Sequence, residues 1–314
     1  MFSETLRLQN AGASLACHYQ PAEGRVQAIL MISHGLAEHS RRYQRFAEAM
    51  AARGYHVYAH DHRGHGETTA SDAPLGRFAR RNGIEHVVSD IAAVHSFATG
   101  RHPGLPVILF GHSMGGLIAL NAAADLAGRF AAVAIWNSNF AVGLSGRAAQ
   151  AILLAERALK GSDVPSDMLP RLTFSAWGKS VPNHRTEFDW LSRDPAEVDA
   201  YIADPLCGFD ASVSLWLDVF ALTFRGIAKE QLARLPKDIP IHLVGGGKDP
   251  ATNNGKAVLW LSERLKSQGF SRISTEIYQD MRHETLNEIG AGAAIADLAD
   301  WCDEAIRNGP ERKD

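Results

Sequence analysis

Cysteine is scarce in this chain of 314 residues: there are three, at positions 17, 207 and 302. An odd number at wide spacing excludes a disulfide framework and any cysteine-built metal cluster. An excess of one charge is also missing. With 32 basic against 35 acidic residues the net charge is -3, and no long block of like charge occurs. Nucleic acid and anionic membrane surfaces are therefore not expected as partners. No apolar run approaches the roughly 20 residues of a membrane-spanning helix. The opening Met1-Phe-Ser-Glu-Thr-Leu-Arg-Leu8 lacks the basic-then-apolar order of a signal peptide, so a cytoplasmic location is expected. The 14 histidines include no H-E-x-x-H or comparable ligand spacing. Neither a metal nor a cofactor is expected. What remains is an ordinary globular composition, 46% hydrophobic and 21% charged, on a chain long enough for one domain with an insertion or for two domains.

Residues 106 to 116 organise the rest. Val107 to Phe110 is a short apolar run of the kind a strand buried on both faces shows. It breaks at Gly111-His112-Ser113-Met114-Gly115, and a helical pattern with Leu117, Leu120 and Ala124 on one side follows at once. The letters G-x-S-x-G are a weak signal alone. Between a strand and a helix they read as a nucleophile elbow, a turn so tight that Ser113 is pushed out at the strand's carboxyl end. Amides at the start of the following helix favour developing negative charge at the same spot. Without that context Ser113 would be an ordinary helix cap.

Two antiparallel strands are expected within residues 4 to 20, turning near Asn10 to Gly12, and further strands at Gln27 to Ser33, Tyr55 to Ala59 and Phe130 to Trp136. Helices fall between them, one with Tyr43, Phe46, Ala47, Met50 and Ala51 on a face, another with Ile84, Val87, Val88, Ile91 and Val94. This alternation predicts a mostly parallel sheet with helices on both faces, an α/β fold whose strand-end loops share one rim. The rhythm stops after about Asn139 and resumes near Ile239. The intervening stretch is rich in Phe, Trp and Leu, and it reads as a half-helical cap inserted after the sixth strand. Residues 1–138 and 226–314 are then the core, and 139–225 the cap. Strands return at Pro240 to Gly245 and Arg272 to Tyr278, and the polar end from Asn308 to Asp314 is expected to fray.

A serine hydroxyl needs a positioned base, and the base needs a third group to fix its tautomer. Elbows of this type use the chain order Ser, acid, His. His283, after the last strand, is the base. Asp249, after Gly245 to Lys248, is the acid; Asp280 is a rival whose short tether to His283 makes the reach difficult. Acyl transfer also needs two amides for its oxyanion. Met114 supplies one, and the turn His34-Gly35-Leu36 the other, with Leu36 chosen ahead of Gly35. His34 and His112 read as packing or hydrogen-bonding residues, Arg63 and His65 as locks of their own loop, and Glu284 as a helix N-terminal carboxylate.

His34-Gly-Leu-Ala-Glu-His-Ser-Arg-Arg-Tyr43, Asp61-His-Arg-Gly-His-Gly66, Gly111-His-Ser-Met-Gly-Gly116, Leu191-Ser-Arg-Asp-Pro195, Tyr201-Ile-Ala-Asp-Pro-Leu206 and Tyr278 to Glu288 occur in this order. Together they resemble the serine hydrolases grouped with monoacylglycerol lipases and lysophospholipases. The resemblance implies an α/β-hydrolase fold with a mobile apolar cap and no cofactor. It also implies Ser113, Asp249 and His283 as triad, with the amides of Leu36 and Met114 as oxyanion hole. The chain departs from the pattern at Glu67-Thr68, where the family places Ser two residues after the second Gly of the Asp61 loop. It departs again at Phe174 to Pro182, which is not the cap of a monoacylglycerol lipase. The expected activity is hydrolysis of a small-molecule acyl ester, one with a single fatty-acyl chain, with the apolar cap suited to transient membrane contact. The same triad also serves amides, thioesters and lactones, and a non-catalytic binding protein on this fold is the reading from another class.

Overall fold

In the computed structural model, which describes residues 2–307, nine strands form one sheet. The chain enters through β1 (Glu4–Asn10) and β2 (Ala13–Gln20), an antiparallel hairpin turning at Ala11 and Gly12. Then come β3 (Ala28–Ser33), α1 (Gln44–Ala52), β4 (Tyr55–His60), β5 (Thr69–Ala70), α2 (Gly83–Arg101), β6 (Val107–His112), α3 (Met114–Asp125) and β7 (Ala132–Trp136). Five helices follow: α4 (Gly143–Lys160), α5 (Leu169–Leu172), α6 (Phe174–Ser180), α7 (Pro195–Ala203) and α8 (Val213–Gly226). The short α9 (Lys229–Leu232), β8 (Ile241–Gly246), α10 (Lys256–Ser267), β9 (Ile273–Tyr278) and α11 (Ala291–Arg307) complete the described chain. The terminal stretch 308–314, expected to fray, lies outside the described residues.

The spatial order is β1-β2-β4-β3-β6-β7-β8-β9, antiparallel as far as β4 and parallel from there, with β5 paired to β2. The insertion leaves the sheet after the strand ending at Trp136, where the sequence places it. That strand is the seventh, because the two-residue β5, too short to leave a period in the sequence, intervenes.

Strand side chains alternate between the faces. Ile29, Met31, Leu109, Val133, Ile135 and Leu243 pack with α2, α3, α8 and α10 on one side. Leu30, Ile32, Ile108, Phe110, Ala134, Trp136 and Val244 pack with α1 and α11 on the other. Both faces are dry, which is why the parallel strands read as continuous apolar runs. Cys17 and Cys302 are fully buried within these layers, as their neighbours' periodicity indicates, and all three cysteines are free.

The register brings Ser33 opposite Gly111, His112 opposite Trp136, Trp136 opposite Val244 and Gly246 opposite Tyr278. The carboxyl ends of five strands therefore lie along one edge, and the loops they feed meet there. The loop after β4, whose His60 pairs with Ser33 at the same edge, is locked from within. Arg63 and Asp90, both without solvent exposure, pair through Nε–Oδ2 at 2.7 Å and Nη2–Oδ1 at 3.1 Å. Arg63 Nη2 also donates to the carbonyls of Asn10 and Ala11. Thr68 meets the departure noted in the sequence: its hydroxyl donates to the carbonyl of Asp61 and accepts from the amide of Ala16, so a hydroxyl is still present there.

Candidate active site

The elbow is as tight as its glycines require. Ser113 has φ 54° and ψ -119°, a strained conformation for a residue with a side chain. A Cβ on Gly111 would run into the carbonyl of Gly115, and one on Gly115 into the carbonyl of Ser33. The strained turn projects Ser113 from between β6 and α3.

His283 follows β9, and its Nε2 lies 3.0 Å from Ser113 Oγ. Its Nδ1 lies 3.0 Å from Asp249 Oδ2. An ionised carboxylate only accepts hydrogen bonds, so Nδ1 carries the proton of the neutral ring. Nε2 is then the lone-pair nitrogen that faces the serine hydroxyl. Asp249 is fully buried at the start of a short 3-10 turn. It accepts from the Ala251 amide (2.9 Å), Thr252 Oγ1 (2.8 Å) and Asn137 Nδ2 (3.2 Å). Burial alone would raise its pKa. The neighbouring His283 and these hydrogen bonds outweigh burial and hold the carboxyl below its ordinary range. Asp280, the rival acid, is exposed and pairs with Lys248 Nζ at 2.7 Å.

Leu36 and Met114 both line the cavity over Ser113. Met114 is the first residue of α3, so its N–H has no acceptor within the helix. In the other turn the Gly35 amide is already taken, donating to Glu38 Oε1 at 2.6 Å. Leu36 is left as the amide of that turn available to an oxyanion.

The sequence model of the serine aminopeptidase S33 family matches residues 24–290. The chain belongs to that family. It is 30% identical to human monoglyceride lipase over 292 residues, covering 92% of this chain and 87% of that protein. It is 28% identical to the monoacylglycerol lipase of Mycolicibacterium smegmatis over 282 residues, 88% of each. A thermostable carboxyl esterase from Bacillus coagulans superposes with a TM-score of 0.86 at 22% identity, over 96% of this chain and 98% of that one, and so shares the fold. This S33 member is an α/β-hydrolase and a serine hydrolase.

Sequence reasoning missed a buried charge network beside the site. Arg42 grips Glu284 with both terminal nitrogens (2.6 and 2.7 Å) and reaches Glu38 Oε2 at 2.8 Å. Glu38 Oε1 also accepts from Tyr43 Oη at 2.7 Å. Glu284 precedes a 3-10 turn as expected, but its main partner is this guanidinium, 242 positions away in sequence. His112, read as a hydrogen-bonding residue, has Nδ1 3.3 Å from Glu38 Oε1 and Nε2 3.0 Å from the carbonyl of His283. Both partners are acceptors, so both ring nitrogens bond best when protonated. Burial pushes its pKa down, but Glu38 more than compensates and raises it. The network thereby clamps the His34–Leu36 turn, the elbow and the His283 loop together.

Between the rim and the inserted helices lies a half-open pocket of about 150 Å³ lined by Ser113, His283, Leu36 and a group of aromatic residues. The segment before α7 is stitched to the His283 loop. The amides of His283 and Glu284 donate to the carbonyls of Trp190 and Leu191, Arg282 donates to Asp189 and Ser192, and Arg193 pairs with Glu288. Among the described residues, His39, Asp204 and Cys207 bring ligand-type atoms within 4.8 Å of one another. His39 Nε2 already donates to Asp204 at 2.8 Å, a tie between the loop after β3 and the insertion.

Proposed function

We propose that the protein hydrolyses carboxylic esters with a single acyl chain, monoacylglycerols or lysophospholipids, through an acyl-enzyme on Ser113. The relay of two 3.0 Å contacts from Asp249 through His283 to Ser113, opening into an apolar cavity, carries this reading. His283 Nε2 takes the Ser113 proton as Oγ attacks the ester carbonyl, and Asp249 stabilises the imidazolium that forms. The amides of Leu36 and Met114 hold the oxyanion. His283 then gives the proton to the departing alcohol. A water, deprotonated by the same nitrogen, releases the acid.

The core comprises 1–138 and 226–314, and 139–225 acts as a cap over the substrate. The names of the human and mycobacterial relatives support the monoacylglycerol class. Exposed Leu144, Leu159 and Leu172 on the cap are suited to transient contact with a lipid surface. Among the described residues no helix is long and apolar enough to cross a membrane. Three free cysteines fit a reducing, cytoplasmic setting.

A panel of glycerol and methyl esters of increasing chain length, with Ser113→Ala as control, tests the proposal. Turnover that disappears in the variant and rises with acyl length beyond acetate is expected. Turnover confined to acetates would refute the single-chain lipid assignment.

A further inference from the structure

One wall of the cavity is built from aromatic rings that touch one another. Phe174 stacks on Trp190 with centroids 5.7 Å apart and an interplanar angle of 11°. Trp177 meets Trp190 at 4.9 Å and 61°, and Trp216 lies 5.6 Å from Phe174. Trp190 sits 4.9 Å from the His283 ring, so the wall begins at the base itself. The four rings come from α6, from the segment before α7 and from α8. Trp190 and Trp216 are only 5% and 4% exposed, which fixes the wall in place.

The spacing decides what such a wall can hold. A cage for a quaternary ammonium needs rings facing one another across a gap, each within about 6 Å of the cation. Here neighbouring centroids are 4.9 to 5.7 Å apart, which is direct contact, and nothing enters between them. The rings instead pack as one cluster whose four members all line the pocket, with the half-buried Phe174 and Trp177 offering the most open ring surface. A saturated chain gains from it only the burial that leucines would give equally well. A planar ring gains the same burial plus offset-stacked or edge-to-face attraction. The half-open pocket of about 150 Å³ has room for one such ring, since a closed apolar cavity of that volume in another protein takes up benzene.

We propose that the preferred ester carries a planar aromatic ring, on its acyl or its alcohol part, seated against Phe174, Trp177, Trp190 and Trp216 beside His283. This rests on the reading of Ser113 as the nucleophile and goes beyond the proposed substrate class: among esters with a single acyl group, one bearing a ring is taken ahead of a monoacylglycerol. A flat ring is selected over a saturated ring of the same size.

The test is kcat/KM on two matched pairs and a lipid. Benzyl acetate against cyclohexylmethyl acetate places the ring on the alcohol. Methyl 3-phenylpropanoate against methyl 3-cyclohexylpropanoate places it on the acyl group. Monooleoylglycerol is the lipid. Methylene spacers separate each ring from the ester, so intrinsic reactivities within a pair are alike. One ring–ring contact corresponds to about a 2- to 12-fold preference. The phenyl member of at least one pair is expected to lead by that factor and to match or exceed monooleoylglycerol; monooleoylglycerol outrunning both phenyl esters overturns the inference. Trp177→Leu and Phe174→Leu, at half-buried positions, should bring the phenyl-to-cyclohexyl ratio toward one. Equal rates within both pairs, or a ratio unchanged in both variants, overturns the inference. Ser113-dependent turnover without ring preference overturns it while leaving the ester-hydrolase reading standing. Absence of Ser113-dependent turnover of all five esters overturns both.

Discussion

Asp249→Asn isolates the charge behind the base. In the native site Oδ2 accepts from His283, Thr252 and Asn137, while Oδ1 accepts from the Ala251 amide. An asparagine can offer an oxygen to only one of these two sets. With its oxygen toward His283, its amide opposes the Ala251 N–H. Turned over, it donates to Nδ1 and forces the proton onto Nε2, where it blocks removal of the Ser113 proton. Either way the imidazolium formed in the reaction loses an anion 3.0 Å away. At an effective dielectric constant of about 20 that interaction is about 5.5 kcal/mol, or roughly 10⁴-fold in rate. The loss seen on replacing the equivalent acid in a serine protease is about the same size, roughly 10⁴. Initial rates on a soluble ester, with circular dichroism to check folding, should show kcat down by about 10⁴. Asp280→Asn, at the exposed pair with Lys248, should leave kcat within about twofold, since exposed pairs contribute little. A folded Asp249→Asn variant within about tenfold of the wild type would refute the argument, because a loss that small corresponds to only about 1.4 kcal/mol.

Three further outcomes follow from the same geometry. Arg63→Ala strands Asp90 in the core, and urea unfolding should show a loss of about 3–5 kcal/mol; a loss under about 1 kcal/mol, the scale of an exposed pair, would mean the pair is not buried as described. Gly115→Ala places a Cβ against the Ser33 carbonyl, so this variant should be insoluble or should leave Ser113 unreactive; normal turnover would contradict the elbow. Burial pushes His34, His60 and His242 down to about 4, so they stay neutral in the fold while the unfolded chain protonates near its ordinary value. Their stabilising effect is complete above about pH 6.5 and is lost as pH falls toward 4, so the urea midpoint should drop between pH 7 and 5. His242→Gln should make that drop shallower, and an unchanged slope would contradict the assignment.

The core layers were legible because parallel strands buried on both faces leave apolar runs, and the helices between them leave a 3.6-residue period. The three candidate catalytic residues were legible for a related reason: strands of one direction end on one rim, so Ser113, Asp249 and His283 could be placed there before any distance was known. The clamp of Arg42 on Glu38 and Glu284 was not legible. A guanidinium and a carboxylate 242 positions apart share no period, and only the folded loops bring them together. The two-residue β5 was too short to register. In the insertion, the sequence showed many aromatic residues but not that four of them touch, because irregular turns rather than a repeating pattern set their facing. Such contacts appear only in three dimensions.

In the proposed mechanism Ser113 reacts only because His283 takes its proton. Reaction with a fluorophosphonate, followed by intact mass and peptide mapping, tests it most directly. One adduct per chain is expected, on Ser113, absent in Ser113→Ala and slowed at least about 10³-fold in His283→Ala. Labelling of His283→Ala at the wild-type rate, or an adduct mapped to any other residue, would contradict it.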